Sequence, residues 1–142
     1  MFGESAEESE FVTLLEKHPN QISWWYKNTV GSQKAFAVPY QNSKGEEALF
    51  YVDFVVRFAK GVTGLFDTKT KDSDPEAPAK HNALVDFMVT RNAEGKATVG
   101  GVIIREGGSW RYCPNKIANT HDLAGWEIFS PVAVTGPAAE KV

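Results

Sequence analysis

Apolar residues recur along this chain first with a helical period and then with a strand period. Ser5-Ala6-Glu7-Glu8 has the form of a capping box, and Phe11, Leu14, Leu15 and His18 follow at spacings of three and four until Pro19 interrupts them. This predicts a helix over residues 6–17. Residues 20–28 contain Ile22, Trp24, Trp25 and Tyr26, an apolar and aromatic stretch expected to form a second short helix or a packed turn. From Lys34 the pattern turns to strands, predicted at residues 35–40, 49–58 and 65–70. They are separated by the turn-forming Asn42-Ser43-Lys44-Gly45 and by a corner holding Lys60, Gly61 and Gly64. Short connections imply an antiparallel meander. Residues 71–78 are polar, include Pro75 and Pro78, and read as a loop. Leu84, Phe87 and Met88 then mark a helix over residues 79–91 lying on the sheet and ending near Asn92 and Gly95. Further strands are predicted at residues 98–105, 110–113 and 126–129, with Gly107-Gly108 as a turn and a loose tail after Pro131.

At 142 residues, with 42% hydrophobic content, the chain suits a single α/β domain with one packed core. It has no apolar run of the roughly 18 residues a membrane helix needs. Glu4, Glu7, Glu8 and Glu10 stand where a signal peptide would be basic, so a cytoplasmic protein with no membrane partner is expected. The single cysteine, Cys113, cannot form an internal disulfide and fits a reducing compartment.

The net charge of −3 is not that of a typical nucleic-acid binder. Five of the acids, however, lie within residues 1–16, where there is no Lys or Arg. The remainder carries 13 acids against 15 bases, a balance that leaves nucleic acid open as a partner.

Candidate chemistry centres on two acids in neighbouring strands. Side chains alternate along a strand, so Asp53 should project opposite to Val52 and Phe54. In Leu65-Phe66-Asp67-Thr68-Lys69 the same period places Asp67 and Lys69 on one face. The glycine-containing corner between the strands can return Asp67 beside Asp53. A hard divalent cation prefers such paired carboxylates, and the backbone carbonyl of Thr68 is a further candidate ligand. Lys69, beside two carboxylates, would stay protonated and could activate water or stabilise developing negative charge. An Asp-x-Lys triplet alone is commonly a solvated strand edge. Trp24, Trp25 and Tyr26 could stack on bases, although core packing is the expected role.

Tyr51-Val52-Asp53-Phe54-Val55-Val56 followed by Gly64-Leu65-Phe66-Asp67-Thr68-Lys69 resembles the signature of PD-(D/E)XK nucleases. The nearest version is the C-terminal endonuclease domain of type III restriction enzymes and related helicase–nuclease proteins. The resemblance takes in Glu10-Phe11, Leu14-Leu15, His18-Pro19, Trp24-Trp25-Tyr26-Lys27-Asn28 and Phe36-Ala37-Val38-Pro39-Tyr40 upstream. Downstream it reaches Ala79-Lys80-His81-Asn82-Ala83-Leu84, but does not extend into residues 91–142. Val52 stands where that family usually has Pro, Asp67 where Glu is commoner, and Thr70 where Gly is frequent.

The resemblance implies a restriction-endonuclease-like mixed sheet flanked by helices. It further implies a Mg²⁺- or Mn²⁺-dependent endonuclease acting on DNA, in which Asp53 and Asp67 bind metal and Lys69 is the catalytic lysine. Glu10 would be the helix glutamate that completes the site, with Glu16 similarly placed beside the apolar stripe, and Lys80 would contact phosphate. The chain has no phosphate loop, so a helicase or translocase domain or subunit is the expected partner. The alternative is a catalytically silent nuclease-fold domain serving DNA binding or protein interaction.

Overall fold

The computed structural model describes residues 5–29 and 35–134. Helix α1 (Ala6–Glu16) starts at a reciprocal capping box: Glu8 N–H donates to Ser5 Oγ (3.1 Å), and Ser5 N–H donates to Glu8 Oε1 (3.0 Å). Its buried stripe is Glu8, Phe11 and Leu15, the i, i+3, i+7 positions of one helix face.

Residues 20–28 do not form a second helix; after a turn that ends at Gln21 they are extended. They form strand β1 (Ile22–Lys27), antiparallel to β4 (Phe54–Phe58), with a register shift between Ile22 and Trp24. The extra residue lets Ile22 and Trp25, three apart, both pack on the α1 side. This spacing imitates a helix in the sequence. Trp25 meets Phe54 edge-on at 6.0 Å, while Trp24 and Tyr26 remain largely exposed, contrary to the expected core role.

The run expected as one strand over residues 49–58 is divided. Its first part belongs to β3 (Glu47–Phe50), which pairs antiparallel with β2 (Val38–Gln41) as a separate two-stranded sheet; Tyr51–Asp53 leads from there into β4. The main sheet is mixed, as expected, but its first strands do not run as one meander; it has six strands in the order β1-β4-β5-β6-β7-β8, with β5 Thr63–Lys69, β6 Thr98–Glu106, β7 Ser109–Tyr112 and β8 Glu127–Ile128. β5 and β6 are parallel, joined through helix α2 (Ala77–Ala93), and the other neighbours in the sheet are antiparallel. A crossover helix is what parallel neighbours require. A 3-10 turn, Pro131–Ala133, follows β8; the remainder of the tail, residues 135–142, lies outside the described residues.

The central strands β4 and β5 are covered on both faces. Against α1, Phe11 and Leu15 pack with Phe54, Val56, Phe58 and Phe66. Phe11 has no exposed surface, and its ring lies 5.2 Å from Phe54 and 5.4 Å from Phe66 and Trp110. On the opposite face Val55 and Leu65 pack with Leu84, Val85 and Met88 of α2 and with Val38, Phe50 and Val52 around the hairpin. His81 of α2 reaches the sheet over Gly101, where a Cβ would sit 2.6 Å from the imidazole. No helix among the described residues is long and apolar enough to cross a membrane.

Candidate functional site

The two acids are brought together by the β4–β5 hairpin. Its tight end is closed by Phe58 N–H to Val62 C=O (2.8 Å) and Gly61 N–H to Phe58 C=O (3.0 Å), with Gly61 at φ +82°. The register pairs Phe54 with Phe66, so Asp53 and Asp67 lie one residue beyond that pair on each strand. Each is held by the other's strand. Asp53 N–H donates to Asp67 Oδ1 (3.1 Å), while Thr68 N–H and Thr68 Oγ1 both donate to Asp53 Oδ2 (2.9 and 2.8 Å). Because Thr68 N–H points toward Asp53, and a strand residue's N–H and C=O point to the same side, the Thr68 carbonyl also faces that edge.

Asn28 sets the position of Asp53 from behind. Its side chain is buried, donates to the carbonyls of Phe36 (2.7 Å) and Val52 (3.0 Å), and accepts from Phe36 N–H (2.7 Å). Asn28 N–H also donates to the carbonyl of Asp53 (2.8 Å).

Asp67 is almost fully buried, and its Oδ2 has no hydrogen-bond partner among the described residues. Lys69 Nζ stands 3.4 Å from that oxygen, an ion-pair contact without hydrogen-bond geometry. Burial, followed by the charge of Asp53, pushes the Asp67 carboxyl up to about 7, against the opposing effect of Lys69 and Lys80. Asp53 is also raised, by burial first and by the neighbouring Glu8 carboxyl, while the two Thr68 donors hold it down.

Lys69 is partly buried, which by itself would lower its pKa. The charges of Asp67 and Asp74 outweigh that effect and raise it, so the ammonium stays protonated. Asp74 Oδ2 takes both lysines, Lys69 at 3.2 Å and Lys80 at 2.9 Å, while its Oδ1 accepts from Glu76 N–H (2.9 Å). Burial would raise the Asp74 carboxyl; these donors and charges overcome it and hold the group near 2. Lys80 enters from the first turn of α2 and lies over the rings of Phe50 and Tyr40.

Glu10 does not join this group. Its carboxylate is half exposed and pairs with Arg105 of β6 at 3.5 Å; Glu16 is exposed. The helix acid next to Asp53 is Glu8, which also pairs with Lys27 at 3.1 Å. The helix geometry explains the exchange, because Glu8 lies three residues before Phe11 on the buried face and Glu10 lies beside it. Glu8 was legible as part of the buried stripe, but its place in the capping box accounts for an acid there without any site. Asp74 gave no signal in a polar loop, and Asn28 shows its function only through contacts distant in sequence.

No group of three or more His, Cys, Asp or Glu among the described residues is arranged to hold a metal ion. The arrangement still suits one kind of cation. Mg²⁺ is commonly held by one or two carboxylates, with water and substrate phosphate completing its shell. Two like-charged carboxylates, one with an unsatisfied buried oxygen, and a carbonyl on the same edge match that requirement. No protein-family model matches the chain, and neither the curated proteins compared with it nor the solved structures include a match.

Proposed function

We propose that this chain is a Mg²⁺- or Mn²⁺-dependent endonuclease domain that hydrolyses DNA phosphodiester bonds, with a restriction-endonuclease-like fold of the PD-(D/E)XK type. The observation that carries the reading is the buried carboxylate of Asp67, whose Oδ1 accepts from Asp53 N–H across the hairpin while its Oδ2, beside Lys69, has no hydrogen-bond partner among the described residues. A buried carboxylate with an unsatisfied oxygen and a like charge beside it is costly to a fold, and a divalent cation would relieve that cost. Asp53, Asp67 and the Thr68 carbonyl would hold the ion. When bound, such an ion supplies Lewis-acid polarisation of the phosphoryl oxygens and acidifies the attacking water.

The remaining work falls to the lysines. The Lys69 ammonium, kept charged by Asp67 and Asp74, orients water and stabilises negative charge developing on the phosphoryl group. Lys80 contacts a neighbouring phosphate, and Asp74 positions both lysines from one carboxylate oxygen. The mixed sheet, with Asp67 on β5, Asp53 immediately before β4 and α2 connecting the parallel β5 and β6, supports the fold assignment. Target selection and translocation would come from a helicase or translocase domain or subunit.

A second reading, a catalytically silent domain of the same fold that binds DNA or protein, is favoured by the absence, among the described residues, of a group of three or more His, Cys, Asp or Glu arranged to hold a metal ion. Titration with Mn²⁺ followed by calorimetry separates the two. The enzyme reading expects binding that disappears in Asp53→Ala and in Asp67→Ala; the silent reading expects no binding to the wild type.

A further inference from the structure

The exposed face of β1 carries aromatic side chains that the candidate metal site does not use. Trp24 and Tyr26 are 50% and 37% exposed, and their rings stack at 5.9 Å with 20° between planes. In register Trp24 stands opposite Arg57 and Tyr26 opposite Val55, so all four share one face of the sheet. Beside Tyr26 opens a cleft of about 120 Å³ lined by Phe36, Val55, Thr63, Leu65, Phe87 and Arg91.

Among the described residues the two guanidiniums here have no acidic partner. Arg57 Nη1 donates to Thr63 Oγ1 (2.9 Å), and Arg91 Nε donates to Thr98 Oγ1 (2.9 Å). Neither guanidinium enters an ion pair among the described residues. A neutral hydroxyl fixes each one in direction and leaves its charge available. Arg91 also lies 5.9 Å over the Phe87 ring. Stacked aromatics and a ring-lined cleft, flanked by two uncompensated guanidiniums, complement a ligand made of flat bases on a phosphate backbone. A duplex keeps its base faces covered, so the complement is a single strand.

We infer that the Trp24–Tyr26 face, with Arg57 and Arg91, binds single-stranded DNA by base stacking and phosphate pairing. The inference deepens the nuclease reading and rests on it for the choice of DNA. By strand periodicity Thr63, Leu65, Asp67 and Lys69 lie on one face of β5, with Thr63 about 13 Å from Asp67 at roughly 3.3 Å per residue. α2 packs on Leu65 between Thr63 and Asp67, so that helix separates the stacking face from the acid pair.

The test is fluorescence anisotropy of labelled dT12, rU12 and a 12-base-pair duplex with the full chain in EDTA, where no metal-dependent cutting can occur. Tight binding of dT12 over the duplex is expected, weakened about tenfold in Trp24→Ala and in Tyr26→Ala and largely retained in Trp24→Phe. Each of Arg57→Gln and Arg91→Gln should lower the slope of log affinity against log salt by about 0.7. Glu10→Gln, which lies outside both places, should bind dT12 as the wild type does. No binding of dT12, or binding indifferent to Trp24→Ala, would overturn the inference, and so would tighter binding of rU12 than of dT12. So would a dimer, seen by sedimentation, that Trp24→Ala dissociates without any change in DNA binding. A chain that nicks plasmid with Mn²⁺ yet fails to hold dT12 refutes this inference alone. One that holds dT12 through Trp24 but never cuts refutes only the nuclease reading.

Discussion

Replacing Asp67 by Asn should make the metal-free protein more stable, although it removes a charged group from an ion pair. The carboxyl rises from its ordinary 3.8 to about 7 because it is buried and faces Asp53. In the unfolded chain it releases its proton near 3.8, whereas the fold retains it to about 7. Between these values the folded state binds more protons, so stability falls as pH rises and the deficit is fully present above 7. Three units correspond to roughly 4 kcal/mol at most. Asparagine keeps an oxygen for Asp53 N–H and gives up the Lys69 contact, which retains Asp74 as a partner. A net gain of about 1–3 kcal/mol at pH 8 in EDTA is therefore expected. Urea denaturation followed by tryptophan fluorescence measures it, and at pH 4 the gain should vanish. Saturating Mn²⁺ should stabilise the wild type and leave the variant unchanged. An Asn variant less stable than the wild type at pH 8, or equally stabilised at both pH values, would refute the reasoning.

Other consequences follow from neighbouring contacts. His81 is fully buried and accepts from Val102 N–H at Nδ1 (3.0 Å), so its proton sits on Nε2, 2.9 Å from the Asn115 carbonyl. Burial lowers its pKa from 6.5, against the pull of the Asn115 and Cys113 carbonyls. The stability it secures is complete above 6.5 and declines as pH falls below that value, so His81→Asn should lessen the proton uptake on unfolding, and hence the loss of stability, measured between pH 6.5 and 5. Asp74→Asn should slow cleavage about tenfold or more and shift the alkaline limb of the pH–rate profile downward, because Lys69 loses a charge that keeps it protonated. In Mn²⁺ calorimetry Glu8→Gln should weaken binding severalfold and Glu10→Gln should not, since only Glu8 acts on Asp53. Phe11→Ala, at the junction of four aromatic rings, should cost about 3–5 kcal/mol in urea denaturation.

The parts of this molecule that were legible in the sequence are those governed by local chemistry. The capping box and the Phe11–Leu15 stripe specify α1, and the Gly61 corner specifies a hairpin that sets Asp53 against Asp67. Legibility failed where one residue altered the period. The bulge beside Ser23 gives Ile22 and Trp25 a helix-like spacing within a strand. Likewise Phe50 and Phe54 belong to a continuous apolar run, and only the packing of Val52 under α2 shows that the chain changes sheets between them. Within the site, Asp74 and Asn28 act through contacts with residues distant in sequence or in a separate element, which composition and periodicity do not encode.

The claim that the Asp53–Asp67 pair and Lys69 form a nuclease site is tested most directly by incubating supercoiled plasmid and single-stranded DNA with the protein and Mn²⁺, beside Lys69→Ala. Nicked and linear products are expected with Mn²⁺ and none with EDTA, with a rate about 100-fold or more lower in Lys69→Ala. Intact DNA under every divalent cation tried, or equal cleavage by Lys69→Ala, would contradict it.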